Sequence, residues 1–388
     1  MEKMLISMLE NQPEGNIVVS PYSILTALCA LSDGTAGSTR EAIIDFLVPI
    51  LSENSRLRSQ TQDFDALKRA FLELSKPQSE EDNGIDETFQ SSNAFCLRNK
   101  NAAKVNAEFR TAFKEQYHGE VFCGNDLVPE VNSWVSEKTK GLIPEILDQS
   151  AAKMEACLVN AIAFICGWAD PYESRDIRKN RNFICADGIK AKVTMLNSIE
   201  NQYVETEDYQ AFAKLYADPR FSFVAVLPKK KDKEKLPEQM ERVLQKTDIR
   251  EVFRSMDFER VCVTMPEFKT EYGTNLTARL KEMGIRRAFT DRADFSPMYT
   301  GDLRVDGIVH KASISVSRKG TEAATATGCV LVAGAFPEGK PIKKMVLNRP
   351  FLYAVMDLKS GMPIFEGVLN RIEEAPRNLN SLVRKIME

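Results

Sequence analysis

Histidine is the scarcest chemically useful residue in this chain of 388: there are two, His118 and His310. Serine hydrolysis needs a histidine base held against a serine nucleophile. No Gly-x-Ser-x-Gly elbow is present to supply that serine. No phosphate loop ending in Gly-Lys-Ser/Thr occurs, and none of the eight cysteines forms a Cys-x-x-Cys pair. Phosphate-loop, zinc-finger and thioredoxin chemistry are therefore not expected, and no metal or other cofactor is. The cysteines, at 29, 96, 123, 157, 166, 185, 262 and 329, read as buried free thiols. Charge is nearly balanced at −3, with pI about 5.8, so nucleic acid is not an expected partner. The longest apolar run, Ala156 to Trp168, is shorter than the roughly 20 residues a membrane span needs. It reads as a buried central strand, and no membrane partner is expected. The start, Met1 to Ile6, soon meets Glu10 and does not read as a secretory signal, which predicts a cytoplasmic or non-classically secreted protein.

What is present is an α+β pattern. Residues 23–31 suit a buried helix, and Phe64, Leu67, Lys68, Phe71 and Leu72 give a helical stripe over 63–76. A helix is expected within Asn132–Leu147, stopped near Gly141. Leu276, Leu280 and Met283 line a short helix ended by Gly284. Phe221–Pro228 reads as a strand, and Phe351–Met356 with Ile364–Leu369 as a hairpin turning at Ser360-Gly361. Helices dominate the first half and strands the second, without βαβ alternation.

The most informative stretch is Gly320-Thr321-Glu322-Ala323-Ala324-Thr325-Ala326-Thr327-Gly328. It follows an alternating strand, His310–Ser317, and consists almost wholly of small residues without turn chemistry. Composition alone leaves it as a mobile loop or as a segment able to enter a sheet. The connection from Gly320 to Lys344 is long for a compact domain, and loops of that length are usually functional or disordered.

Several phrases together resemble the serpin superfamily, of the inhibitory type. Asn16–Ile24, Asn93-Ala94-Phe95, Val131–Val135, Leu158–Ile162, Gly167-Trp168, Pro266–Lys269 and Ala293–Met298 occur in the family's order. Val309–Ala312, then Gly320–Ala324, and finally Asn348-Arg349-Pro350-Phe351 look like the strand and hinge before its reactive loop and the strand after it. The resemblance implies one serpin domain over 1–372: three β-sheets, about eight or nine helices and an exposed reactive-centre loop at about 318–344. It also implies a suicide inhibitor, not an enzyme. A serine protease, or a cysteine protease, would cut the loop and be caught as an acyl-enzyme while the loop enters the main sheet. A non-inhibitory serpin acting as a binding or chaperone protein is the alternative. Family resemblance also admits an extracellular location, and a monomer is expected.

The implied hinge is Gly320, Thr321, Glu322, Ala323, Ala324, Thr325, Ala326 and Thr327. Thr321, Ala323, Thr325, Thr327, Cys329 and Leu331 share one parity, and only the other parity carries a charge, so the first is expected to face the core. The implied reactive bond joins Gly334 and Ala335, with Val332, Ala333 and Phe336 as alternatives; these suit an elastase-like, chymotrypsin-like or cathepsin G-like target. Ser20, Ser23, Asn160, His310 and Trp168 are implied at the opening region of the sheet. Arg318 stands where the family usually has an acid and Glu267 where it commonly has a base, which suggests a charge-swapped salt bridge at the loop base.

Lys229–Lys235 is a charge run broken by two acids and reads as a solvated loop. The 63–76 helix offers only Lys68 and Arg69, so glycosaminoglycan is not an expected partner. Asn275-Leu276-Thr277 is a glycosylation sequon, but Asn275 also stands where a helix cap would be. Past the family's usual end, 373–388 spaces Leu379, Leu382, Val383 and Ile386 like one face of a helix, for docking on its own protein or on a partner.

Overall fold

The computed structural model describes residues 5, 8, 14–54, 57, 63–75, 89–149, 151–230, 235–321 and 342–372. The chain enters through β1 (Ile17–Val19), and Ser20 caps α1 (Pro21–Asp33), its hydroxyl accepting the Ser23 N–H at 3.1 Å. Proline fits this first turn because its missing N–H would have no intrahelical partner. Then come α2 (Gly37–Glu53), α3 (Phe64–Ser75), β2 (Phe89–Arg98), α4 (Ala107–Tyr117), β3 (Gly119–Gly124) and α5 (Val128–Lys138). β4 (Ala156–Phe164), β5 (Cys166–Gly167), β6 (Ile177–Ile184), β7 (Lys190–Glu205), β8 (Tyr209–Leu215) and β9 (Phe221–Pro228) follow. The remainder is α6 (Leu236–Lys246), α7 (Ile249–Arg254), β10 (Asp257–Pro266), β11 (Phe268–Asn275), α8 (Thr277–Glu282), β12 (Gly307–Ser317), β13 (Gly320–Thr321), β14 (Lys343–Val346), β15 (Phe351–Asp357) and β16 (Met362–Leu369). Among the described residues there are eight α-helices, and the class is α+β.

Seven strands make the main sheet, in the order β3-β2-β4-β12-β13-β5, with β11 also paired to β12. The other strands form one network through β7, which pairs with β6, β8 and β10 at different parts of its length. β4 is buried at every position because α5 covers one face, packing Val131 and Val135 over Cys157, Val159 and Ala161, while Leu158, Ile162 and Phe164 belong to clusters on the other. Burial on both faces accounts for its unbroken apolar run.

Local rules set most boundaries. α5 begins at Val128, four residues before the sequence suggests, because Pro129 suits a helix's first turn. Gly284, at φ +110, and Gly361, at φ +71, adopt the left-handed backbone expected after α8 and in the β15–β16 turn. Asn275 Oδ1 accepts the Thr277 N–H at 3.0 Å, so Asn275 caps the entry to α8.

Candidate functional site: a partly opened main sheet

β4 and β12 run parallel and pair directly from Gly307↔Cys157 to Ala312↔Ile162. Above Ala312 that pairing stops. β12 turns back at Arg318-Lys319, and β13 pairs antiparallel with it through Val316↔Thr321 and Ser317↔Gly320. On its other side β13 pairs with β5 through Gly320↔Gly167 and Thr321↔Cys166. The first two residues of the expected hinge, Gly320 and Thr321, are thus already a strand in the sheet, seated where β4 and β12 have parted.

Gly320 is required at the mouth. Its φ is +145, and an added Cβ would lie 2.2 Å from the Cys166 carbonyl oxygen and 2.6 Å from the Gly167 Cα. Both obstacles are backbone, so neither can swing aside. Thr321 is fully buried, and its hydroxyl lies 2.7 Å from the Tyr216 hydroxyl. Tyr216 stacks on Trp168 with centroids 4.6 Å apart, and Trp168 donates its indole N–H to the Ser317 carbonyl at 2.8 Å. The Lys214 ammonium lies 5.6 Å from the Trp168 ring and 4.8 Å from that of Tyr172, and pairs with Glu200 at 2.9 Å. Burial pushes the Tyr216 phenol up, so it is a neutral hydroxyl able to donate or accept.

Lower in the sheet a second cluster ties β4 and β12 to α1. His310 Nε2 accepts the Ser20 N–H at 3.2 Å, which fixes the proton on Nδ1; that N–H then donates to Asn160 Oδ1 at 2.7 Å. Asn160 Oδ1 also accepts from the Ser23 hydroxyl at 2.8 Å. The Asn160 amide donates to Asn93 Oδ1 at 2.8 Å, and Asn93 donates to the Tyr117 carbonyl at 2.9 Å. Burial holds His310 down at about 3, so it stays neutral near pH 7. It takes the main-chain N–H of Ser20, not a serine hydroxyl, and so has no nucleophile to activate. His118 is exposed at the left-handed C-cap of α4.

The structure brings Ser20, Ser23, Asn160 and His310 into one network. Trp168 stands apart from them, at the mouth: its partner Ser317 is about 23 Å along β12 from His310 at the usual strand rise. Sequence reasoning did not assign Asn93, Tyr216, Lys214 or Glu200. Asn93 lay inside a recognised phrase, while the other three had no local signal because their partners are distant in the chain.

The expected Arg318–Glu267 salt bridge is corrected. Glu267 Oε1 accepts the main-chain N–H of Arg318 at 3.0 Å, and no pairing of the two charges occurs among the described residues. The turn aims that N–H at β11 and leaves the Arg318 side chain exposed. The loop boundaries also shift: Arg318–Thr321 is a turn and a strand, and Lys343 and Lys344 lie in β14, parallel to β10. Glu322, Ala323, Ala324, Thr325, Ala326 and Thr327, and the expected reactive-bond residues Val332, Ala333, Gly334, Ala335 and Phe336, lie outside the described residues, as does 373–388. Lys68 is buried against Asp33. Seven cysteines are free thiols, and Cys329 lies outside the described residues.

This architecture is shared. The chain matches the serpin (serine protease inhibitor) family over residues 3–372. It is 31% identical over 369 residues to an uncharacterized serpin-like protein of Thermococcus kodakarensis, covering 91% of this chain and 80% of that one. It is 29% identical over 376 residues to the leukocyte elastase inhibitor of Xenopus tropicalis, covering 92% and 93%. The native-state crystal structure of the thermophilic serpin tengpin superposes with a TM-score of 0.76 at 25% identity, over 96% of this chain and 93% of that one. Human thyroxine-binding globulin in complex with thyroxine superposes with a TM-score of 0.79 at 24% identity, over 96% of each chain. The chain belongs to the serpin family.

Proposed function

We propose that this serpin inhibits a serine protease by suicide-substrate trapping. The observation that carries the reading is the shared register of the three strands at the mouth. Thr321 pairs with Val316 on one side and Cys166 on the other, and β4 and β12 pair directly below with the same offset. Continued downward, that register brings Ala323 beside Ile314, Thr325 between Ala312 and Ile162, and Thr327 between His310 and Asn160. From Thr325 onward each step parts one β4–β12 pair and replaces it with two ladders. Every residue on the inward parity is small or apolar, and no proline interrupts it.

Ladder bonds alone do not drive such a process. Ordering a residue costs about 1–2 kcal/mol, while one hydrogen bond returns about 0.5–1.5 kcal/mol net. The drive comes from burying the inward side chains and filling the parted sheet. A cut in the loop frees it to enter, and a protease still joined to it as an acyl-enzyme is carried along; loop insertion of this kind releases stored strain.

The target reading is an elastase-like, chymotrypsin-like or cathepsin G-like enzyme cutting between Gly334 and Ala335 or at a neighbouring bond. Incubation with elastase, cathepsin G, chymotrypsin and trypsin, followed by denaturing gels and mass measurement of the released peptide, tests it. A complex that survives SDS and a peptide beginning near Ala335 are expected. Clean cleavage by all four without a complex would contradict the proposed mechanism and target class and favour a serpin that binds without inhibiting.

A further inference from the structure

β6 and the start of β7 form a two-stranded ribbon, paired from Ile177↔Leu196 to Ile184↔Lys190. Residues 175–192 carry Arg175, Arg178, Lys179, Arg181, Lys190 and Lys192 against Asp176 and Asp187, a local excess of four positive charges on a chain of net −3. The acids are already engaged. Asp187 accepts the Ile189 N–H at 2.9 Å and faces Arg371 at 3.3 Å, and Asp176 accepts the Glu173 N–H at 2.9 Å. Arg175 pairs with Glu173 at 3.2 Å. Arg178 donates to the Arg175 and Ile177 carbonyls, at 2.5 and 3.1 Å, and meets no carboxylate among the described residues. Lys179, Arg181, Lys190 and Lys192 are exposed and have no carboxylate partner among the described residues.

The ribbon also ends on an apolar point. Cys185 donates its N–H to the Ile189 carbonyl at 2.8 Å, closing the turn and leaving Ile189 63% exposed, more than any other large apolar side chain among the described residues. Phe183 and Ala191, a directly opposed pair just behind it, point into the core. An exposed isoleucine at a hairpin tip, flanked by unpaired cations, has the two properties an anionic membrane surface recognises: an apolar group for the headgroup boundary and positive charge for lipid phosphates.

We infer that the β6–β7 ribbon is a docking surface for an anionic lipid bilayer, with Ile189 entering the headgroup boundary and the cations of the face turned away from the core, Lys190 and Lys192 together with Lys179 at the bulge, lying over the lipid charges. A sulfated polysaccharide would use the cations alone and gain nothing from Ile189. Single-stranded nucleic acid would want an exposed aromatic for base stacking, and the ribbon's one aromatic, Phe183, is buried. Attachment is peripheral: no helix among the described residues is long and apolar enough to cross a membrane. The near-neutral total charge conceals this surface from the sequence, because acids elsewhere in the chain offset the ribbon.

The test uses the full chain and sedimentation with phosphatidylcholine vesicles, with and without phosphatidylserine. Binding is expected only to the phosphatidylserine vesicles and should weaken as salt rises. The triple variant Lys179→Gln, Lys190→Gln, Lys192→Gln is expected to bind about 100-fold more weakly. Ile189→Ser is expected to bind about tenfold more weakly. All four side chains are exposed, so both variants should melt like the parent. Neutralising Arg384 and Lys385 in the tail should leave the partition unchanged. The inference is overturned if phosphatidylserine vesicles do not bind, if Ile189→Ser binds as tightly as the parent, or if the tail variant alone abolishes binding.

Discussion

Replacing Thr321 by arginine puts a charge at a proposed hinge position whose surroundings the structure defines. The side chain there is fully buried, its hydroxyl meets that of Tyr216, and Tyr216 lies stacked on Trp168. The nearby Glu200 carboxylate is occupied by Lys214 at 2.9 Å, so an arginine would meet a second cation in this aromatic cluster. An unpaired buried charge costs several kcal/mol, of the order of 3–5 when a partner is missing. Because position 321 is already seated in the sheet of the intact protein, the arginine should expel β13, and burying it again during insertion then adds this cost to the barrier. At about tenfold per 1.36 kcal/mol, insertion should slow by about two to nearly four orders of magnitude while loop cleavage is untouched. The assay is the number of inhibitor molecules consumed per protease trapped, read on denaturing gels. Thr321→Arg should be cut fully and trap almost nothing. Thr321→Val strands the Tyr216 hydroxyl in the intact and inserted forms alike, so it should lower stability by about 1–3 kcal/mol and trap nearly as the parent does. Normal trapping by Thr321→Arg would refute the inward placement of this parity.

Three other outcomes are expected. Gly320→Ala meets the backbone of β5 and should expel β13, raising proteolysis at Arg318-Lys319 and lowering the melting temperature; unchanged proteolysis would contradict the seating of β13. His310, held at about 3, takes up a proton in the unfolded chain near 6.5 but not in the folded one. The unfolded state therefore binds more protons between those values, and stability falls as pH drops through that window, by about 2 kcal/mol at pH 5; a denaturant midpoint with the same pH dependence in His310→Gln would contradict this. Glu267→Ala should lower stability by about 1–2 kcal/mol while Arg318→Ala stays near neutral, because the bond is to the main chain. Equal losses in thermal melts would restore the side-chain pair.

Much of the fold was legible because local rules and burial agree. The apolar run at Ala156, the Gly284 stop and the hairpin turning at Ser360-Gly361 each need only neighbours in sequence. The network of Ser20, Ser23, Asn160 and His310 was legible only through family resemblance, since its members come from three distant segments. Tyr216 and Lys214 were not legible: their roles arise where β8 meets the mouth of the main sheet, and nothing near them in sequence marks that meeting. The Arg318–Glu267 pair shows the opposite failure. Two complementary charges suggested a salt bridge, while the tight turn at Arg318-Lys319 presented an N–H that the carboxylate takes instead. The cationic ribbon was missed because net charge averages over the whole surface.

The central claim is that the segment after Thr321 can become a strand between β4 and β12. Limited proteolysis of the loop, followed by thermal melts of intact and cleaved protein, tests it most directly. Insertion predicts that cleaved protein melts far above the intact form, because the parted sheet is filled and its strain relieved. A cleaved protein that melts at or below the intact one would contradict the account.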